Sequence, residues 1–366
     1  MNKFSRNIIA VLTVLLIVFF VWRFTTIFWY IVIGAVISFI GAPLANQFDK
    51  IHVKKVYFPR WLSSLLSIVV IISVVVLFFR LIIPLIANQA DVVSNIDVEE
   101  IGVMIEQPVD QLTDMLHKYG IVAQDESIIT SVENKLTEFL DMAAFSNVLS
   151  DVASIAGSLF IGIFAVFFIS FFFIKDENLF QVGIMIFVPE RFTEKVDNVL
   201  RNVKKLLSRY FLGLVGEMIT MMTLESIGLT IFGVRGALLI GFFGGMLNII
   251  PYLGPVLGGV VGTIIGVATV LSMGLYDQVL LTAIIIISVF VVCNLIDNIV
   301  LQPFIYSNSV DAHPLEIFLV IFIFGDIGGI AGMILAIPGY TIIRIVAKEF
   351  LGQFRVVQTI TSRLKT

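Results

Sequence analysis

Residues 236–274 read GALLIGFFGGMLNIIPYLGPVLGGVVGTIIGVATVLSMG, an apolar stretch that is interrupted at its centre. The interruption runs from Asn248 to Pro255, and its two prolines, Pro251 and Pro255, lack backbone donors and bend or end a helix. The first arm, 236–250, would extend about 22 Å as a helix, which is short of the roughly 30 Å hydrocarbon core. The stretch is therefore predicted to form either a re-entrant hairpin or a pair of short, kinked spans.

A second apolar stretch, 314–347, is interrupted in a similar way by the sequence Gly-Asp-Ile-Gly-Gly at 325–329. We expect each stretch to return to the side of the membrane on which it starts, with one opening outward and the other inward. Paired broken elements of opposite orientation are typical of transporters, in which helix ends and unwound backbone contact a solute or ion near the midplane. The alternative is that Gly and Pro serve only tight helix packing.

The rest of the chain has the composition of a membrane protein. Of its 366 residues, 58% are hydrophobic and 14% are charged, whereas soluble domains carry about 25% charged residues. Lipid must be the solvent, and in lipid the backbone groups are satisfied by helices. We predict an all-α, polytopic fold in the cell membrane, in which the two broken stretches join continuous spans at 7–24, 25–41, 60–85, 152–174, 208–232 and 278–300.

Loop charges predict the orientation of these spans. The segments 42–60 and 175–209 and the C-terminal tail are basic, whereas 88–150 has two lysines beside twelve acids. Because basic loops stay in the cytoplasm, both termini are predicted to be cytoplasmic and 88–150 extracellular. The resulting plan has N-terminal scaffold helices, an acidic insert, further membrane helices, a hairpin-containing transport region and a basic tail, at 1–87, 88–150, 151–232, 233–350 and 351–366.

Two segments outside the spans have helical periodicity. The acidic insert is predicted to form two amphipathic helices. The basic segment 176–207 has apolar residues at Val196, Val199, Val203 and Leu206, so we expect an amphipathic helix on the cytoplasmic membrane face. For both segments, packing and anchoring is the interpretation that we favour over a binding role.

Ionisable side chains inside spans are costly and usually functional. Glu217 and Glu225 lie two turns apart within the span 208–232, within about 80° of one helix face. Asp297 and Asn298 lie near the inner end of 278–300, and Asp326 marks the tip of the second broken stretch. These carboxylates could bind a cation or relay a proton, so H⁺ or Na⁺ is a possible coupling ion.

Each carboxylate also has a structural interpretation. Asp297 could cap a helix or pair with a nearby cation, and Glu225 could pair with Arg235 or with backbone donors. We favour a functional role most at Glu217, which is the deepest of the three. His313 precedes Pro314 and is expected to begin a helix rather than carry protons.

No sequence motif indicates catalysis, a cofactor or a metal site. The chain has no Gly-x-x-x-x-Gly-Lys-Ser/Thr loop, no His-Glu-x-x-His and no Gly-x-Ser-x-Gly. Its single cysteine, Cys293, and three scattered histidines lack metal-ligand spacing. We expect neither an enzyme nor a nucleic-acid-binding protein; the expected partners are the lipid bilayer and a small polar solute or monovalent cation.

Several motifs, in order and at their spacing, resemble the autoinducer-2 exporter family of bacterial membrane proteins over nearly the whole chain. They are Asn248 to Pro255, Asp297-Asn298 with Gln302-Pro303, His313-Pro314-Leu315 and the run 329–338, together with Pro84 and Gln89. The resemblance implies eight membrane helices and a homo-oligomeric permease that exports small polar solutes. Members of that family are associated with a quorum-sensing furanone signal, and some with sodium or lithium/proton antiport.

Two residues depart from the pattern of that family. Glu217 stands where a glutamine is expected, and Asp326 replaces an apolar residue. The extra carboxylates favour coupling to a cation or proton over transport of a neutral, sugar-like molecule.

The leading hypothesis is a secondary transporter with its site between the two broken stretches and the spans 208–232 and 278–300. The alternatives are a Na⁺(Li⁺)/H⁺ antiporter, a passive channel and a membrane assembly protein that uses its acidic insert. The candidate site residues are Glu217, Glu225, Asn248, Pro251, Tyr252, Gly254, Pro255, Asp297, Asn298, Gln302, His313 and Asp326.

Overall fold

The computed structural model of the protein describes residues 19, 23–50, 52–53, 56–94, 156–303 and 313–361. The predicted span 7–24 and most of the acidic insert lie outside the described residues, so both stay predictions. Helix α2 continues to Ser94, beyond the predicted start of the insert. The elements of the first part are α1 (Thr25–Phe48), the short antiparallel pair β1 (His52–Val53) and β2 (Val56–Tyr57), α2 (Arg60–Ser94), α3 (Ala156–Lys175) and α4 (Leu179–Met185).

A single long helix, α5 (Thr193–Ile231), follows a 3-10 turn at Glu190–Phe192. The sequence pattern predicts a surface helix within 176–207 and a separate span from 208, but the chain is not divided there. The apolar side of the first half packs on protein: Val199 and Leu206 are buried against Ile345. The predicted division at 208 is therefore absent, whereas a position of this segment on the cytoplasmic membrane face stays a prediction.

The interrupted stretch 236–274 folds as two antiparallel helices, α6 (Ala237–Leu247) and α7 (Leu253–Leu271), which we call the first hairpin. The arms approach so closely that a Cβ at position 258 would lie 2.9 Å from the Cα of Gly244. At the turn, the Leu253 N–H donates to the Pro251 carbonyl at 2.8 Å, and Tyr252 between them has φ 67° and ψ −43°. This is a γ-turn with positive φ, a rare and strained conformation for a residue with a side chain.

The chain then forms α8 (Val279–Ile296), which ends in a π-helical turn at Asp297–Leu301, and α9 (Pro314–Leu351). Gly329 interrupts α9 with φ 59° and ψ −145°, and the chain reverses there. The Tyr340 hydroxyl donates to Glu316 at 3.0 Å, although the two residues would be about 36 Å apart in a straight helix. Helix α9 is therefore a second hairpin with arms 314–328 and 330–351, followed by α10 (Arg355–Thr361).

The described helices confirm an all-α, polytopic membrane protein. Two shorter apolar helices, Ile161–Lys175 and Ala237–Leu247, accompany those long and apolar enough to cross a membrane. The long ones are Thr25–Phe48, Arg60–Gln89, Glu190–Ile231, Leu253–Leu271, Tyr276–Leu301 and Leu315–Leu351, the last of which contains the reversal at Gly329.

The two hairpins meet in the interior of the molecule. Ile250, at the tip of the first hairpin, is buried in one apolar cluster with Ile321 and Ala336 from the two arms of the second. Ile249, from the same tip, also packs on α5 beside Leu214. The tip of the first hairpin therefore contacts both α5 and the second hairpin, which also pack directly against each other at Ile337.

Candidate ion and solute site

One face of α5 carries two buried carboxylates. Glu217 is 3% exposed and Glu225 is 1% exposed, on the same face as the buried Met221. Helix α6 covers this face closely because its glycines present no side chains: a Cβ at Gly241 or Gly245 would collide with the α5 backbone at Ser226 or Met222. The glycines of α6 therefore allow this helix to pack directly on the face of α5 that carries Glu217 and Glu225.

The end of α6 places an amide beside the first carboxylate. The side-chain nitrogen of Asn248, which is buried, donates to Glu217 Oε1 at 3.4 Å. The Tyr210 hydroxyl, two turns earlier on the same face of α5, is also within electrostatic range of Glu217. Because α6 ends at Leu247, Asn248 belongs to the turn and its side chain points back towards α5.

Asp297 is a third buried carboxylate, within interaction range of both Glu217 and Glu225. It is fully buried where α8 widens into its π-helical turn, and Gln302 Nε2 donates to its Oδ2 at 2.8 Å. The Glu217 and Asn248 side chains also lie within interaction range of Asp297. The π turn matters because its extra residue changes the direction of the side chains that follow, and such turns are frequent at functional sites.

Glu225 lies at the edge of this group. Its carboxyl group is in contact with Gly244 of α6, beside the ring of Phe290, and is within electrostatic range of Asp297. Among the residues that the structure describes, Glu225 Oε2 and Asp297 Oδ1 are buried and have no hydrogen-bond partner. We call Glu217, Glu225 and Asp297, with Asn248 and Gln302, the carboxylate cluster.

Four other candidate residues build the turn that holds Asn248 in place. Pro251 and Tyr252 form the γ-turn, and Pro255 is buried in the first turn of α7. Gly254 is required by space, since a Cβ there would meet the Leu247 carbonyl and lie 2.6 Å from the Cα of Asn248. These residues position the cluster and do not themselves contribute charge to it.

The structure leaves three candidates outside the cluster. Asn298 is exposed and donates to the Asn294 carbonyl at 2.9 Å. His313 is exposed, and its Nδ1 accepts from the Leu315 N–H at 3.2 Å, so it caps the first turn of α9 as expected. Asp326 is exposed near the reversal of the second hairpin. The suggested Glu225–Arg235 pair is also not formed, since Arg235 is exposed and contacts Met273.

Two residues that lie against Glu225 could not be identified from the sequence. Gly244 and Phe290 lie against its carboxylate, but a glycine in a Gly-rich helix and a phenylalanine among 33 in the chain carry no distinguishing pattern. Their importance follows only from the pairing of α6 with α5 and α8, which no local pattern specifies.

Buried carboxylates between broken helices of a polytopic membrane fold are the architecture of a membrane transport protein. Comparison with known proteins agrees: the chain belongs to the AI-2E transporter family, whose model matches residues 8–352. The chain is 27% identical to the inferred transport protein YueF of Bacillus subtilis over 353 residues, covering 92% of this chain and 90% of YueF. It is also 27% identical to the inferred permease PerM of Escherichia coli K12 over 289 residues, or 78% of each chain.

Proposed function

We propose that the protein is a secondary transporter that moves a small solute by coupling it to an ion bound at the carboxylate cluster. The observation that supports this most strongly is the burial of three carboxylates in adjoining positions. Asp297 is within interaction range of both Glu217 and Glu225. Within the described part of the chain, neither Glu225 nor Asp297 forms an ion pair.

The buried Glu225 and Asp297 carboxylates then need a positive partner. Burying a charged carboxylate without a partner in a low-dielectric interior costs several kcal/mol of free energy. Such a group therefore takes up a proton or binds a cation. Two carboxyl groups in contact share a proton or cation rather than both carrying a free negative charge. A group of this kind can therefore pick up an ion on one side of the membrane and release it on the other.

The geometry favours a proton as that ion. In the described ranges, no three carboxylate, histidine or cysteine side chains converge as they would around a metal ion. Na⁺ or Li⁺ held by one or two carboxylates and the amide oxygens of Asn248 or Gln302 is the alternative, and it corresponds to an antiporter. Export of a small polar solute such as an autoinducer-2-like signal, and assembly as a homo-oligomer, follow from the family and are parts of the same proposal.

Reconstitution in liposomes with imposed ion gradients tests the proposal. A pH-sensitive dye inside the vesicles should report proton movement when a Na⁺, Li⁺ or pH gradient is imposed, and Glu225→Gln and Asp297→Asn should abolish it. Asp326→Asn is the matched control, because this acid lies outside the cluster, and it should retain the signal.

The outcomes separate the remaining classes of protein. A passive channel would dissipate each gradient without exchanging one ion against another. An assembly protein would give no flux at all and no difference between the variants. Equal signals from the wild type, Glu225→Gln and Asp297→Asn would remove the carboxylate cluster from the mechanism.

A further inference from the structure

A groove of about 420 Å³ lies between α7 and α8, on the outer side of these helices. It exists because Gly259 leaves the middle of the α7 face without a side chain. The rims are exposed aliphatic residues, among them Val260 and Val291, whereas the ring of Phe290, 4% exposed, belongs to the floor. The rims are exposed on the outside of two helices that are long and apolar enough to cross a membrane, which favours an opening towards the bilayer.

The groove also contains two polar side chains, Thr263 and Asn294. The Thr263 hydroxyl donates to the Gly259 carbonyl at 2.7 Å, so it is already satisfied. Asn294 accepts a hydrogen bond from Asn298, and in the part of the chain that the structure describes its own amide nitrogen donates to no other group. An unused amide donor at a lipid-facing surface costs free energy, so acyl chains are poor occupants of this position. A volume of this size, mostly apolar with a few polar groups, is typical of small-molecule sites.

The floor of the groove is also a wall of the carboxylate cluster. A Cβ at Gly244 would lie 2.7 Å from both the Phe290 Cε1 atom and the Glu225 carboxyl carbon. The same ring lies within 3.8 Å of a Cβ at Gly259, in the groove. Phe290 is therefore next to both the groove and Glu225, whose Oε2 is buried and unpartnered among the described residues.

We propose that this groove binds the transported solute, which is an uncharged amphiphile that enters from the bilayer with a hydrogen-bond acceptor facing Asn294. Phe290 separates the bound solute from the ion-binding carboxylates until the two sites are joined. This inference rests on the proposed function, and it assigns an amphiphilic solute in place of a strongly polar one, together with its entry side. It predicts separate sites for the solute and for the ion.

The test uses a defined probe, 6-propionyl-2-(dimethylamino)naphthalene, which is uncharged, fluorescent and carries a ketone acceptor. It is titrated against the full chain in nanodiscs of phosphatidylethanolamine and phosphatidylglycerol, with empty nanodiscs subtracted. We expect saturable binding that Gly259→Leu abolishes, because a side chain at this position fills the groove and meets only Phe290 at ordinary contact distances. Asn294→Leu should weaken binding about fivefold, the effect of one hydrogen bond of ordinary strength.

Val292→Phe is the matched control, since it adds an aromatic ring to an exposed position of α8 outside the groove. It should bind the probe like the wild type. Binding that is not saturable, or that is equal in Gly259→Leu and Val292→Phe, overturns the proposal. Probe binding is measured without an ion gradient. A failure of this proposal can therefore be distinguished from a failure of the proposed coupled transport.

The role of Phe290 is tested by a double-mutant cycle with the same probe. In the wild type, Glu225→Gln should leave the emission maximum of the bound probe unchanged, because the ring separates the two groups. In Phe290→Ala the groove and the cluster are joined, so Glu225→Gln should then shift the emission. An equal effect of Glu225→Gln in both backgrounds would show that Phe290 is no barrier.

Discussion

Gly244 is the point at which the absence of one side chain allows a carboxylate to be buried. A Cβ at this position would meet the Glu225 carboxylate and the Phe290 ring, so Gly244→Ala overpacks the site and should cost about 1–3 kcal/mol of stability. Gly216→Ala is the matched control in α5, because nothing lies within 4 Å of its Cβ position. Thermal unfolding of the purified protein should show a lower melting temperature for Gly244→Ala only.

Tyr252 provides a second prediction, in which a glycine variant is more stable than an alanine variant, the reverse of their usual order. Both Tyr252→Ala and Tyr252→Gly lose the ring that packs beside Ile250, but only glycine relieves the positive φ. The glycine variant should therefore be more stable than the alanine variant by about 1 kcal/mol, the lower end of the cost of such strain. Thermal unfolding of the two variants compares them directly; an alanine variant that is equally or more stable would show that the turn is not strained.

The sequence identified the buried carboxylates better than it identified the residues that contact them. Carboxylates within apolar spans are unusual enough to indicate Glu217, Glu225 and Asp297, and the structure brings them together. Their role in transport stays a prediction. The contacts of Glu225 with Gly244 and Phe290 could not be predicted, because they depend on how three helices pack and not on any one of them.

At the scale of helices, the two interruptions were predictable because Pro and clustered Gly act on the backbone locally. Pro251 and Gly329 lie at the two reversals, and each effect involves a few neighbouring residues. The continuity of α5 was not predictable in this way. A change from amphipathic to apolar sequence near Arg209 indicated a boundary, but it reflects a change of packing partners along one helix.

A cross-link tests the second hairpin. A Cβ at Gly339 would be in contact with the Phe324 ring, whereas fifteen residues of straight helix would separate the two positions by about 22 Å. In a Cys293→Ser background, Phe324→Cys with Gly339→Cys should be bridged by a short bis-maleimide, detected by mass as the addition of one reagent molecule with the loss of both free thiols. Phe324→Cys with Ile343→Cys is the control, because Ile343 is exposed and lies one turn further from the reversal. Failure to bridge the first pair would indicate a continuous helix.

The whole molecule is tied together at one end by a polar cluster that the sequence did not indicate. Arg60 bonds to Asp49, to Glu177 at 2.6 Å and to the Ile174 carbonyl at 3.1 Å, and Glu177 also pairs with Lys204 at 2.7 Å. These contacts join the N-terminal helices to α5. Pairwise charge contacts between distant segments need the tertiary fold, whereas the net charge of each loop can be counted from the sequence.

Loop charges predict that this polar cluster lies in the cytoplasm and the acidic insert outside. Alkaline phosphatase inserted within 95–150 should be active, because it folds only after export. Green fluorescent protein fused after Thr366 should fluoresce, because it folds in the cytoplasm. An inactive phosphatase with a dark C-terminal fusion would reverse the orientation.

The length of α5 gives the protein a sensitivity to membrane thickness. Its 39 residues extend about 58 Å, nearly twice the hydrocarbon core. A helix of that length responds to a thinner or thicker bilayer by tilting. Glu217 and Glu225 are about 12 Å apart along the axis, so a tilt moves them to different depths by different amounts. The acyl-chain length of the lipids chosen for reconstitution thus becomes a variable of the transport measurement itself.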